Sequence, residues 1–418
     1  MITYEDSREY GAKIRVVGIG GGGCNAVNGM IEATLTGVDF VAINTDVQAL
    51  ETNRATYKIQ IGKALTRGLG AGANPEIGRR AAEEDIDVVK SALEGSDLVF
   101  ITGGMGGGTG TGAAPKIAEL SRSLGALTIG IVTKPFSFEQ AKRMKQAMKG
   151  IEDLRNNVDT LIVIPNEKLM TIMPKNTPFL QAFKMADDVL YRATRGISDL
   201  ISSTGYVNVD FADVKKIMAG AGEAIMGMGI GSGEHRCEQA VQQAINSPLL
   251  EETTIEGATG VLFNMTCPED FTMEEIERVS KEITKVAGDD ADVIWGYAID
   301  PNLKDELHVT VIAAGLNRQR SSRTKVAVVS ESGHAPSDNT TQTLSLTKRT
   351  FKNSYEYYEH LQGMRQNKSM EKPAIQRVEN AADGPPQDES VMLKMTGTDN
   401  IEDGNIPAFL RKHTKLKR

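Results

Sequence analysis

The sequence predicts an α/β protein in which a doubly wound parallel sheet is joined by a long central helix to a smaller α/β (α+β) domain, with a disordered C-terminal tail. Three observations predict it. Short, continuous runs rich in Val and Ile recur through the first third of the chain, a long apolar stripe of helical period follows, and the composition turns polar from Arg318 onward.

The runs are "KIRVVGIG" from Lys13, "DFVAINTD" from Asp39, "SDLVFITGG" from Ser96, "ALTIGIVTK" from Ala126 and "DTLIVIPN" from Asp159. Their length and lack of alternation suit strands covered on both faces. Segments between them, such as "GRRAAEEDIDVVKSALEG", are long enough for helices, which gives the alternation of a parallel sheet. From Thr177 onward, Phe179, Phe183, Ala186, Leu190, Ala193, Ile197 and Leu200 recur three or four apart and predict one long, largely buried helix. Beyond it, "TGVLFNMTC", "ADVIWGYAID" and "DELHVTVIAAG" read as strands, with "TMEEIERVSKEITKVAG" as a helix between the first two. The expected organisation is an N-terminal extension over 1–12, a first domain over 13–176, the central helix over 177–202, a second domain over 203–317, a flexible linker over 318–402 and a docking peptide over 403–418.

A net charge of −8 gives no reason to expect a nucleic-acid partner. From Arg318 to the end, however, 17 basic side chains face 12 acidic ones, so an acidic body carries a mildly basic tail. Cys24, Cys237 and Cys267 are too scattered for a disulfide framework or a cysteine zinc site, and the five His residues show no ligand spacing, so no metal site is expected. The start lacks a signal-peptide pattern and no apolar run reaches the length of a membrane span. A cytoplasmic protein, not integral to a membrane, is the expectation.

Two glycine-rich loops carry the chemistry. The first strand runs into "GIGGGGCNA", where Gly18, Gly20 and Gly23 match G-x-G-x-x-G, a pattern equally consistent with a plain strand-to-helix turn. "ITGGMGGGTGTGAAP", from Ile101 to Pro115, adds a second loop after another strand. Loops of a doubly wound sheet gather at the strands' C-terminal edge, so both can surround one polyphosphate. Backbone amides of Gly104 to Gly112, the hydroxyls of Thr109 and Thr111, and a helix expected to start near Ala113 with Pro115 in its first turn all favour an anion. No G-x-x-x-x-G-K-[ST] occurs, which excludes the common P-loop.

"GGGTGTG", together with "GGGGCNAV", "INTDVQAL", "TRGLGAGANPEIGR", "VTKPFSFEQAKR", "IPNEKL", "NVDFADVKKIM" and the terminal "NIPAFLRK", resembles the tubulin/FtsZ family of cell-division GTPases over nearly the whole chain. The resemblance implies that Gly21, Gly22, Gly104, Gly106, Gly107, Gly108, Thr109 and Gly110 hold the phosphates of GTP or GDP with Mg²⁺, and that Ala71 and Gly72 close over the γ-phosphate. It places Thr133, Glu139 and Arg143 on the ribose and phosphate side, and gives Asn25, Asn166, Phe183 and Asp187 to the guanine. An amide and a carboxylate complement guanine's edge, and a phenyl ring offers a stacking face. Read without the resemblance, Phe183 is ordinary core, Asp187 a helix edge and Cys24 a small buried hydrophobe.

In "NVDFADVKKIM", Asn208, Asp210 and Asp213 precede or open a helix, where capping is the ordinary role. The resemblance implies instead that Asp210 and Asp213 polarise the attacking water in the GTP site of the next subunit, with Asn208 on the γ-phosphate side. Hydrolysis would then require a head-to-tail homopolymer and drive its disassembly. The same resemblance makes Ile406, Pro407, Phe409, Leu410 and Arg411 a docking peptide for membrane tethers and regulators of a bacterial division ring, although Asn405 and His413 depart from the family pattern. Two alternatives stay open at the level of sequence. One is a dinucleotide-dependent oxidoreductase using Gly18, Gly20, Gly23 and Asp46; the other is a scaffold that has lost the chemistry.

Overall fold

The structure, a computed structural model, describes residues 11–174, 176–202, 209–250, 255–301 and 303–316. Residues 1–10 of the N-terminal extension, Asn208, the linker and the docking peptide therefore lie outside the described residues.

The first half alternates as its hydrophobic pattern requires. Strand β1 (Ile14–Ile19) leads into helix α1 (Gly20–Glu32), then β2 (Asp39–Asn44), α2 (Val47–Glu51), β3 (Tyr57–Gln60) and α3 (Lys63–Thr66). Helices α4 (Pro75–Glu84) and α5 (Ile86–Leu93) precede β4 (Leu98–Gly104), and α6 (Thr109–Ser123), β5 (Leu127–Lys134), α7 (Ala141–Arg155), β6 (Thr160–Pro165) and α8 (Asn166–Ile172) complete this half. The long helix is α9 (Phe179–Ser202). After α10 (Phe211–Met218) come β7 (Gly222–Ser232), α11 (Arg236–Ile245), β8 (Gly260–Cys267), α12 (Met273–Ala287), β9 (Asp292–Ile299) and β10 (Glu306–Ala314).

All ten strands form one sheet in the order β3-β2-β1-β4-β5-β6-β7-β10-β8-β9. The first seven are parallel; β10 runs antiparallel to β7 and β8, and β9 parallel to β8. Strands β1 and β4 are neighbours, yet their connections lead away to opposite sides. At such a reversal the two following loops part and leave a crevice at the C-terminal edge.

Buried side chains form one cluster under α1, α9 and α10, a second on the opposite face under α4 to α7, and a third between α11, α12 and strands β8 to β10. The predicted stripe of α9 is buried from Ala186 to Leu200, but Phe179 at its start is 49% exposed. The segment after Gly78 forms two helices, α4 and α5, which meet at Asp85. One boundary differs from expectation. Helix α6 begins at Thr109, not near Ala113, because the glycines themselves take up helical geometry, so Pro115 stands inside the helix.

Candidate nucleotide site

The glycines of the two loops divide into two groups. Gly18, Gly20 and Gly23 are filled by the chain itself: a Cβ on Gly20 would lie 2.8 Å from the Gly110 nitrogen, and one on Gly23 2.5 Å from the Thr102 carbonyl oxygen. Their absent side chains let β1, α1 and β4 touch. Asp46, the ribose ligand of the dinucleotide alternative, instead caps α2 by accepting from the Gln48 amide at 2.9 Å. A Cβ on Gly21 or Gly107, by contrast, would meet nothing within 4 Å, and Gly21, Gly22 and Asn25 form an exposed patch on the first turns of α1.

Met105 to Gly108 turn the chain from β4 into α6. The Met105 amide donates to the Thr133 carbonyl at 2.9 Å, and the Gly106 amide to the Thr111 hydroxyl at 2.8 Å, so Thr111 serves the loop itself. No side chain caps α6, which leaves the amides of its first turn turned toward the crevice beside Gly21 and Gly22, with the helix dipole behind them. Thr109 opens the helix, its hydroxyl 2.7 Å from that of Thr45. The 67–74 loop lies over the glycines: a Cβ on Gly108 would meet Ala71 Cβ at 2.8 Å and the Asn74 amide at 3.0 Å. Next to Ala71, Gly72 is exposed with φ +59°.

Strands β5 and β6 add the next two loops along the same edge. Thr133, next to last in β5, pairs with Gly104. Glu139 accepts the Phe136 amide at 2.9 Å and pairs with Arg143 at 3.1 Å, and the Arg143 stem and carbonyl pack on Gly106. Asn166 opens α8 at the end of β6; it is 5% exposed and its Oδ1 has no hydrogen-bond partner among the described residues. Helix α9 packs between α8 and α1, and its Asp187 faces Gly29, one turn beyond Asn25. Burial lifts the Asp187 carboxyl to about 7, and no ion pair reaches it among the described residues. Phe183 stands edge-on to Phe136 at 5.3 Å and to Phe179 at 5.0 Å, with Phe138 stacked on Phe136.

The predicted residues thus gather from the loops that follow β1, β4, β5 and β6, from the 67–74 loop and from α9. An unpaired buried amide oxygen and an unpaired half-buried carboxyl, flanked by phenyl rings, are open needs that a base with both donor and acceptor groups can meet. Cys24 lies beneath them, 3.8 Å from the Asn44 amide and 2% exposed, and burial raises its thiol to about 12. It is inert packing. Among the described residues no three His, Cys, Asp or Glu side chains gather where they could hold a metal. The cradle offers donors, which suit phosphate oxygens and not a resident cation.

Asp210 and Asp213 lie elsewhere. Before them, Ser202 closes α9 against Gly37, just ahead of β2; after them, the Met218 carbonyl accepts from the hydroxyl of Thr160, the first residue of β6. Both anchors mark the N-terminal edge of the strands, roughly 20 Å from the cradle for a strand of six residues. Asp210 is the N-cap of α10 yet its carboxylate makes no capping bond, and both carboxylates are exposed. Sequence reasoning missed Thr45 and Phe136. The only signal for Thr45 was its place after a strand in "INTD", where an Asx turn is expected.

Residues 13–174 match the Tubulin/FtsZ family GTPase domain, and residues 222–317 match the FtsZ family C-terminal domain. Among solved structures, an FtsZ dimer from M. jannaschii in its empty form is 48% identical, with a TM-score of 0.72 over 74% of this chain and 90% of that one. The GDP-bound monomer of CetZ1 from Haloferax volcanii, 24% identical over 72% of this chain and 94% of that one, has the same fold at a TM-score of 0.62. So does the GTPγS-bound protofilament of CetZ2 from that organism, 18% identical over 75% and 99%, at 0.60. An identity of 48% maintained across 90% of a solved FtsZ chain exceeds what a shared fold requires, and the chain belongs to the FtsZ family of GTPases.

Proposed function

We propose that this GTPase assembles head to tail, each junction holding GTP on the cradle edge of one subunit and receiving Asp210 and Asp213 from the next. The observation that carries the reading is the separation of the two predicted halves of the site. Groups suited to a nucleotide line one edge of the sheet, while two uncapped, exposed carboxylates stand at the other. A chain of such subunits brings opposite edges together, and a heterologous contact that does not close makes a filament.

In this reading Gly21, Gly22 and the amides of Gly104 to Gly110, with Thr109, bind the phosphates, and Ala71 and Gly72 cover the γ end. Thr133, Glu139 and Arg143 line the ribose side. Asn25, Asn166 and Asp187 address the guanine edge and Phe183 its face. Mg²⁺ enters as part of the substrate, Mg·GTP, held chiefly by phosphate oxygens. Asp210 and Asp213 orient and polarise water in line with the γ-phosphate, Asn208 standing beside them, and loss of phosphate weakens the junction.

Phe138, Phe179, Leu180, Met170 and Ile172 are about half or more exposed around the base side of the cradle, an apolar rim suited to subunit contact. Solved relatives include an FtsZ dimer and a CetZ2 protofilament. The biological role proposed is the cytokinetic ring, in the cytoplasm at the division site, with Ile406, Pro407, Phe409, Leu410 and Arg411 engaging tethers. With an M. jannaschii FtsZ at 48% identity, an archaeal ring fits this reading as well as a bacterial one. No described helix is long and apolar enough to cross a membrane. Phosphate release and sedimentation with Mg·GTP, measured against protein concentration, test the proposal. Both should appear above one shared threshold; release proportional to concentration, with no polymer, would overturn it.

A further inference from the structure

Thr45 is wholly buried, yet it touches two of the loops that build the cradle. Its hydroxyl lies 2.7 Å from that of Thr109 at the start of α6. Its carbonyl accepts from the Thr66 hydroxyl at 3.2 Å and from the Gly70 amide at 3.3 Å, at the root of the 67–74 loop. Its own amide donates to Asn44 Oδ1 at 2.9 Å, which fixes the turn after β2. Thr109 is the only partner of the Thr45 hydroxyl among the described residues, and of the two threonine hydroxyls of the glycine loop Thr109 is the one left for a ligand, since Thr111 serves Gly106.

A hydroxyl has one proton to donate and can also accept. Between two threonines, one donates and the other is left with its proton free. An anion beside Thr109 selects the arrangement in which Thr45 donates to Thr109 and Thr109 donates outward. We infer that Thr45 is a positioning residue of the phosphate cradle, directing the Thr109 proton at phosphate and joining the 67–74 loop to the glycine loop. The inference rests on the phosphate-binding reading of that loop.

A double-mutant cycle on the full-length chain tests it, with GDP and a slowly hydrolysed GTP analogue as titrants. Thr45→Val, nearly isosteric, should weaken nucleotide binding roughly fivefold to tenfold, the worth of about one hydrogen bond between neutral groups. Thr45→Ser should restore affinity to within about twofold. Thr109→Val should weaken binding by itself, and Thr45→Val should then add little further loss. An equal loss from Thr45→Val with Thr109 present and with Thr109 replaced overturns the inference, since Thr45 would then act only through the fold. If Thr109→Val leaves affinity untouched while wild-type protein still binds GTP, the phosphate reading of Thr109 fails instead. Melting temperature without nucleotide separates a folding defect from a binding one, and Thr45→Ala, which demands less space, runs the same cycle should the valine variant not fold.

Discussion

Asp187 combines burial, a raised carboxyl and the lack of an ion partner among the described residues, and each has a measurable consequence. A carboxylate accepts from guanine's ring and exocyclic N–H groups, whereas the protonated acid sets a donor against them, so GTP affinity should fall as pH drops below about 7. Fluorescence titration from pH 8 to 5.5 should show the fall, and Asp187→Asn should flatten it while weakening binding at pH 8. Because the folded pKa lies above the ordinary value of 3.8, the linked stability is complete below that value and lost as pH rises through about 7. Asp187→Asn should therefore raise the melting temperature at pH 8 and leave it nearly unchanged at pH 4. Gln140 shows a second local cost: at φ 83°, ψ 146° it occupies backbone space that suits only glycine, between Glu139 and Arg143. Gln140→Gly should stabilise the apoprotein by roughly 1–3 kcal/mol in urea denaturation, and no gain would mean that the backbone there is relaxed. Sequence patterns alone left Phe183 and Asp187 as core and helix edge, since a helical stripe cannot show which of its members face a crevice. The family resemblance singled them out, while Thr45 lay inside a quoted motif with nothing in its residue type to mark it.

Strands and helices in the first half were legible because doubly buried strands leave continuous apolar runs, and all five predicted runs appear as β1, β2, β4, β5 and β6. Strand β7 was missed for a physical reason. Its inward positions Gly227, Gly229 and Gly231 carry no apolar signal, because α11 lies directly on the strand backbone. A Cβ on Gly229 would sit 2.6 Å from the Ala244 amide and run into the Ala240 carbonyl oxygen. Glycine here is a packing residue of a helix–strand contact. Gly229→Ala should destabilise the fold by about 1–3 kcal/mol in denaturant unfolding, the range for an overpacked core. Nucleotide affinity should stay near wild type, because β7 is separated from the glycine loops by β6 and β5. Wild-type stability for this variant would show that α11 can lift away without loss. The early start of α6 was invisible for a related reason, since it turns on backbone geometry that several residue types permit.

At the scale of the whole molecule, a single sheet carries the glycine loops at one edge and the two carboxylates near the other, so the proposed reading divides the site into two halves facing opposite ways. Such a division permits a test that no single-subunit active site could pass. Gly107 has open space around it, so Gly107→Asp should fold while placing a negative charge where phosphate would lie, and it should lose GTP binding with Asp210 and Asp213 intact. Asp213→Ala should bind GTP and assemble but hydrolyse it about a hundredfold more slowly or worse, the usual cost of losing a group that activates water. Mixed together, the two variants form junctions in which the sound cradle of Asp213→Ala meets the sound carboxylates of Gly107→Asp. Phosphate release from the mixture should rise at least about tenfold above either variant alone, less than wild type because only some junctions are matched. It should also rise with the Gly107→Asp fraction, then fall as GTP-bearing subunits become scarce. A mixture that merely averages the separate rates would place both halves of the chemistry within one chain and remove the reason for hydrolysis to wait on assembly.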